Sequence, residues 1–348
     1  MTPGEIISYV LVIYIQPVLC CIGFILNTAC IIVFCSSFSH SYYRKTSLLV
    51  YLIGLSICNA FQLLISTFVL VLPAAEQFID GQQFEEECHL LRIMNAQTVR
   101  MGYPLLMSAN YASIWIVTFI CVSRYQSLCP PWTLWKKRLH FSRRSKLILF
   151  LILILSIALN IPRYWEMELH ERHLIVTSLR FQLWYKIVQE GIIYGTIVYG
   201  LPLVGLAVIN YRTLQLVRAD KRERRRPSAE YRSAVMTMII FSCFFVCTTL
   251  SALIRLVLIV VSESIFLSPK FLWLPDLSNL LMNMNALAMP IVCFVFTRGF
   301  RDIFFVIRYA PSTDQVAAET AEKNLLNKSR SGHRNSSFLN LVENKNSI

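Results

Sequence analysis

The chain has 348 residues, 55% of them hydrophobic and only 15% charged, with a net charge of +13. A soluble domain carries about 25% charged residues, so the composition points to a bilayer rather than water as the main solvent. The basic excess lies in short segments between apolar runs, which argues against a nucleic-acid partner.

Seven charge-free runs follow one another: 6–40, 47–75, 101–123, 147–162, 191–211, 233–254 and 277–297. A spanning helix needs about 20 apolar residues, with a range of roughly 17–25. The fourth run is short and borrows Ser145, Lys146 and Arg163 to Trp165 at its edges, where long side chains snorkel to water. The runs are continuously apolar rather than alternating, so they predict helices and not the strands of a barrel. The first run follows Met-Thr-Pro-Gly-Glu, has no basic flank and is far longer than a signal-peptide core, so it is expected to be the first span.

Charge gives the orientation. The segments 38–46, 126–146 and 212–232 hold 16 Lys and Arg against three acids, whereas the N-terminus and the segments 76–100, 163–190 and 255–276 hold 8 basic and 12 acidic residues. Basic loops stay in the cytoplasm, which places the N-terminus outside and the C-terminal tail inside. The first outer loop is acidic (Glu76, Asp80, Glu85, Glu86, Glu87), and the second is aromatic with mixed charge. In the third inner loop Pro227 is expected to separate two helical extensions. Phe300, Phe304 and Ile307, at i, i+4 and i+7, predict a short amphipathic eighth helix. The polar tail after it is expected to be disordered. The expected architecture is an all-α membrane protein: a seven-transmembrane helix bundle with an eighth helix over 1–309, and a disordered cytoplasmic tail over 310–348.

The eleven cysteines lie mostly in or beside the runs and read as small buried hydrophobes rather than a disulfide framework. The six histidines fall in loops and tail without metal-ligand spacing. No metal, cofactor or enzymatic activity is expected. A transporter would show paired halves and charged or broken helices at mid-depth. No repeat appears, and the mid-depth positions carry no ionisable residue.

Arg124 breaks this pattern. It ends the third run, in Ser-Arg-Tyr, at the cytoplasmic face, followed by Tyr125. Seven spans with that triplet resemble the rhodopsin-like G-protein-coupled receptors, whose motif there is Asp/Glu-Arg-Tyr. Other positions carry the same resemblance: Asn27 in the first run, Leu55 and Asn59 in the second, Pro202 in the fifth, Pro290 in the seventh, and Phe300 beyond Cys293. The resemblance implies that Arg124 and Tyr125 couple to a heterotrimeric G protein. It also implies that Asn27, Asn59, Ser113 and Asn285 form a polar core between the helices. An arrestin-like partner at the tail is a further expectation.

The chain departs from that pattern at several places. Ser123 stands where the family has an acid, Asn59 where it has Asp, Met289 where it has Asn, and Leu250 and Ala252 where it has Trp and Pro. Cys88 finds no cysteine partner in the second outer loop, so the family's usual disulfide there is not expected. Within the family, the segments 160–166, 216–228 and 277–285 are similar to invertebrate FMRFamide-type neuropeptide receptors. This implies a receptor for an amidated neuropeptide at the plasma membrane; the alternatives are a divergent chemoreceptor for small odorants and, behind it, a transporter. Candidate ligand-binding residues near the outer ends are Arg100, Tyr103, Trp184, Glu190, Arg255 and Asp276. Glu190 and Arg255 stand out because their flanks are apolar, so each wants a partner.

Overall fold

The computed structural model describes residues 2–35, 47–74, 88–129, 144–170, 173–223, 229–260, 271 and 273–296, all within the unit Met1–Arg301. The predicted eighth helix, the tail and the acidic residues of the first outer loop lie outside the described residues, as do the side chains of Cys88 and Arg255.

Seven long helices account for most of the described residues. They are α1 (Pro3–Cys35), α2 (Leu48–Ala74), α3 (Cys88–Leu128), α4 (Ser145–Trp165), α5 (Leu183–Leu216, continuing to Glu223), α6 (Ala229–Val260) and α7 (Trp273–Phe296). Five of them, α1 to α5, are long and apolar enough to cross a membrane. The apolar stretch of α6, Met238–Ile254, is shorter. α7 is diluted by Asn279, Asn283 and Asn285.

α1 starts cleanly because Thr2 and Glu5 form a reciprocal cap. The Thr2 hydroxyl accepts from the Glu5 N–H at 3.4 Å, and the Glu5 carboxylate accepts from the Thr2 N–H at 2.6 Å, with Pro3 in the first turn. Such boxes satisfy two N–H groups that would otherwise be orphaned. In α5, the turns over Ile187–Gly200 are widened to i→i+5 hydrogen bonds, ending with the Leu201 N–H on the Thr196 carbonyl. Pro202 follows immediately and has no N–H to continue the ladder. Within this stretch a Cβ on Gly200 would sit 2.9 Å from the Gly195 carbonyl oxygen, so the wide turn requires glycine there.

The helices pack as a bundle around α3. Neighbouring pairs are α1–α2, α2–α3, α3–α4, α3–α5, α5–α6 and α6–α7, and α7 returns to α1. In the most apolar stretch of α3, 78% of residues are buried, against 22% in α4, which makes α3 the central post and α4 a peripheral one. α2 and α3 approach closely at Gly102, where a Cβ would lie 2.5 Å from Val69 Cγ2. Val69, Leu106, Met107 and Met282 form an apolar layer across α2, α3 and α7.

One element departs from the all-α expectation. The segment between α4 and α5 folds into a hairpin of β1 (Met167–His170) and β2 (His173–Val176), antiparallel, with Met167 opposite Val176. A single turn, Ser178–Phe181, then leads into α5. The Thr177 N–H donates to the Glu166 carbonyl at 2.9 Å and the Thr177 hydroxyl to the Trp165 carbonyl at 2.6 Å, which closes the hairpin on the end of α4.

Candidate functional site

The last turn of α4 carries the most deeply buried cation among the described residues. Arg163 follows Pro162 and was expected to snorkel outward from the edge of a short span. Instead it is 1% exposed and points into the bundle. Its guanidinium has five N–H donors, and all five find acceptors. Nε donates to Asn160 Oδ1 at 3.0 Å; Nη1 to the Tyr103 hydroxyl at 3.3 Å and Glu166 Oε1 at 3.4 Å; Nη2 to the Tyr111 hydroxyl at 3.1 Å and Glu190 Oε1 at 2.8 Å. The guanidinium also lies 5.7 Å from the centre of the Tyr103 ring. The full set of partners explains the inward turn: burying a charge is tolerable only when it is paired and hydrogen-bonded.

This one side chain joins α3, α4, α5 and Glu166, the residue that links α4 to the hairpin. Glu166 is tied further by the Tyr185 hydroxyl, which donates to Oε1 at 2.7 Å. Gln189 of α5 donates to the Leu159 carbonyl of α4 at 3.2 Å. Tyr194 packs its ring 5.7 Å from that of Tyr111 and donates to Ser251 of α6 at 3.4 Å, so the network extends toward α6.

Beside it lies a cavity of about 240 Å³. Its wall includes Tyr103, Leu106 and Met107 of α3, Arg163, Glu166, Tyr185 and Glu190, with Ser251 and Ile254 of α6 and Ser278 and Asn279 of α7. Arg180 and Lys186 complete the charged part of the lining. A concave, largely apolar site with a few convergent polar groups is the usual form of a ligand pocket.

The predicted ligand residues divide accordingly. Tyr103 and Glu190 line the cavity, and the partner that Glu190 wanted is Arg163. Arg100 is half-buried on α3 and is not among the lining residues. Trp184 is 59% exposed, and its indole N–H donates to Gln182. Asp276 at the start of α7 accepts from the Ser8 hydroxyl, which ties α1 to α7. Sequence reasoning passed over Arg163, Glu166 and Tyr111. The available signal was Arg163 and Glu166 three residues apart at a helix end, one helical turn that lets opposite charges meet.

Further along the bundle, three of the four predicted polar-core residues meet. The Asn27 and Asn59 amides both donate to the Ala286 carbonyl, at 3.1 and 3.4 Å, and Ser113 donates to Asn59 Oδ1 at 3.0 Å. Asn285 and Asn59 border a small void of about 10 Å³, the size of one water at most. A second polar cluster was not anticipated: Asn283 exchanges hydrogen bonds with Ser66 at 3.0 and 3.1 Å and accepts from Gln62 at 3.4 Å. Arg124 and Tyr125 are half-buried at the far end of α3. At about 1.5 Å per residue, Tyr103 and Arg124 lie about 30 Å apart, the thickness of a hydrocarbon core.

Among the described residues, α3 thus carries a charged cavity toward one end and the Arg124–Tyr125 pair at the other. Residues 14–180 match the family model described as the serpentine type 7TM GPCR chemoreceptor Srw. The chain is also similar to the FMRFamide receptor of Drosophila melanogaster, 26% identical over 219 residues, covering 59% of this chain and 38% of that protein. It is similar to the FMRFamide peptide receptor frpr-18 of Caenorhabditis elegans, 24% identical over 292 residues, covering 78% of this chain and 64% of that protein. The matches thus span less than two thirds of either relative. Together with the apolar helices they support a multi-pass membrane protein of the G-protein-coupled receptor class.

Proposed function

We propose that this chain is a rhodopsin-like G-protein-coupled receptor of the plasma membrane, with seven spanning helices and its N-terminus outside. It binds an extracellular amidated neuropeptide in the cavity beside Arg163 and activates a heterotrimeric G protein through Arg124 and Tyr125. It has no enzymatic role. The observation that carries this reading is the pairing of a charged cavity at one end of α3 with Arg124 about one membrane thickness away along the same helix. Glu190, 21% exposed in its side chain, is the carboxylate through which the cavity meets a peptide cation. The bilayer and an arrestin-like protein at the tail are the remaining partners. The similarity to a chemoreceptor family favours a second reading, a receptor for small odorants.

Epitope tags at Met1 and Ile348 test the orientation. Antibody should reach the first on intact cells and the second only after permeabilisation, and Asn327 and Asn335 in the tail should stay unglycosylated. Labelling of the tail tag on intact cells would overturn it. The ligand class is tested by applying Phe-Met-Arg-Phe-amide, related amidated peptides and a set of volatile odorants to cells expressing the chain with Gα-class sensors. A response to amidated peptides is expected; a response to odorants alone would decide for the second reading.

A further inference from the structure

The charges that line the cavity differ in burial. The side chains of Arg163 and Glu166 are 1% and 3% exposed, and that of Glu190 is 21% exposed. Arg163 engages both carboxylates, so its cluster holds one cation against two anions. Two further cations line the wall and, like Glu190, are half-buried: Arg180, in the turn Ser178–Phe181, and Lys186, which precedes Glu190 by one turn on α5. The Lys186 ammonium lies 6.0 Å over the Phe181 ring, which sets it beside the same turn as Arg180. Among the described lining residues, the cluster around Arg163 is therefore net negative and the wall at Arg180 and Lys186 is net positive.

Size adds a constraint. Pockets for drug-sized ligands run to about 300–1,000 Å³, and this one is about 240 Å³. A peptide can insert its end but not its length, so the residues upstream of that end cross the wall at Arg180 and Lys186.

We propose that Arg180 and Lys186 form a second subsite, which selects an acidic side chain placed upstream of the cationic end that Glu190 receives. The ligand class is then an amphoteric peptide, basic at its inserted end and acidic behind it. The subsite rests on the peptide reading above. Arg presents a planar fork that matches a carboxylate in two hydrogen bonds, and a Lys beside it adds a point charge. Partial burial spares such a pair from much of the screening that salt imposes on open surface charges.

The test uses the full-length receptor in cells with a G-protein sensor and three synthetic probes: Asp-Phe-Met-Arg-Phe-amide and its Asn and Lys counterparts at the first position. On the unaltered receptor the Asp peptide should be about tenfold more potent than the Asn peptide, the scale of a close charge pair across an interface. In the double variant Arg180→Glu with Lys186→Glu, the order should invert and the Lys peptide should be the most potent. A misfolded variant cannot gain potency for one peptide, so the inversion reads the subsite and not the fold. If that variant fails to reach the surface, the comparison of Asp and Asn on the unaltered receptor decides alone. Equal potency of those two overturns the subsite and leaves the peptide reading standing. Silence of all three peptides overturns both.

Discussion

Arg163→Met is expected to destabilise the receptor by roughly 3–5 kcal/mol, the cost of removing one partner from a buried ion pair. The substitution deletes five hydrogen-bond donors at once and leaves the carboxylates of Glu166 and Glu190 without their shared cation. Glu166 suffers most, because its side chain is 3% exposed and water cannot replace the guanidinium. Against a typical total stability of about 5–15 kcal/mol, this is a large fraction. The detergent-solubilised variant should melt on the order of 10 °C lower, and less of it should reach the cell surface. Arg163→Lys should fall between the two, since an ammonium carries three donors on a flexible stem and cannot span partners on α3, α4 and α5. Adding Glu166→Gln and Glu190→Gln to Arg163→Met should recover part of the loss, because uncharged amides need no counter-charge. A melting point for Arg163→Met equal to that of the parent would show that the network contributes nothing to the fold.

The same residue marks the limit of what could be read from the sequence. Charge-free runs revealed the helices because each backbone group in a bilayer must be satisfied within its own segment, and the runs 101–123 and 191–211 fall inside α3 and α5. The ends were harder. Lys186 and Glu190 interrupt the apolar run and read as loop, yet both belong to α5. A cation at the edge of an apolar run has the same local signature whether it reaches for water or for carboxylates. Arg163 has one carboxylate 3 residues away and another 27 residues away, and only the packing of α5 against α4 brings the second within 2.8 Å. The demand that Glu190 find a partner was legible from its apolar flanks; the identity of that partner was a tertiary fact. The polar core behaved in the same way. Asn27, Asn59 and Ser113 could be placed by position, but the carbonyl that gathers the two asparagines belongs to Ala286, which has no side-chain signal at all. The hairpin between α4 and α5 was also hidden, because its closure rests on the backbone of Glu166 and on Thr177 rather than on an alternating pattern.

Arg124→Ala should abolish the G-protein response to an agonist while the receptor still reaches the surface and binds. Arg124 stands at the last turns of α3, about 30 Å from the cavity along the helix axis, so it cannot contact a ligand there. It is half-buried, whereas Arg163 is 1% exposed. Its loss should cost the fold less than the loss of Arg163, and surface amount and binding of a labelled agonist should stay within about twofold. Signalling should fall to the level of cells without receptor, because the proposed role needs the cation itself to meet the G protein. Arg124→Lys separates two ways of meeting it. Retained signalling would show that a point charge suffices, whereas loss with lysine would show that the planar fork is needed. The measurement is a Gα-sensor dose response beside surface labelling and radioligand binding on the same cells. An Arg124→Ala receptor that signals as strongly as the parent would remove the coupling role from this residue. Signalling and binding lost together would instead assign Arg124 to the fold.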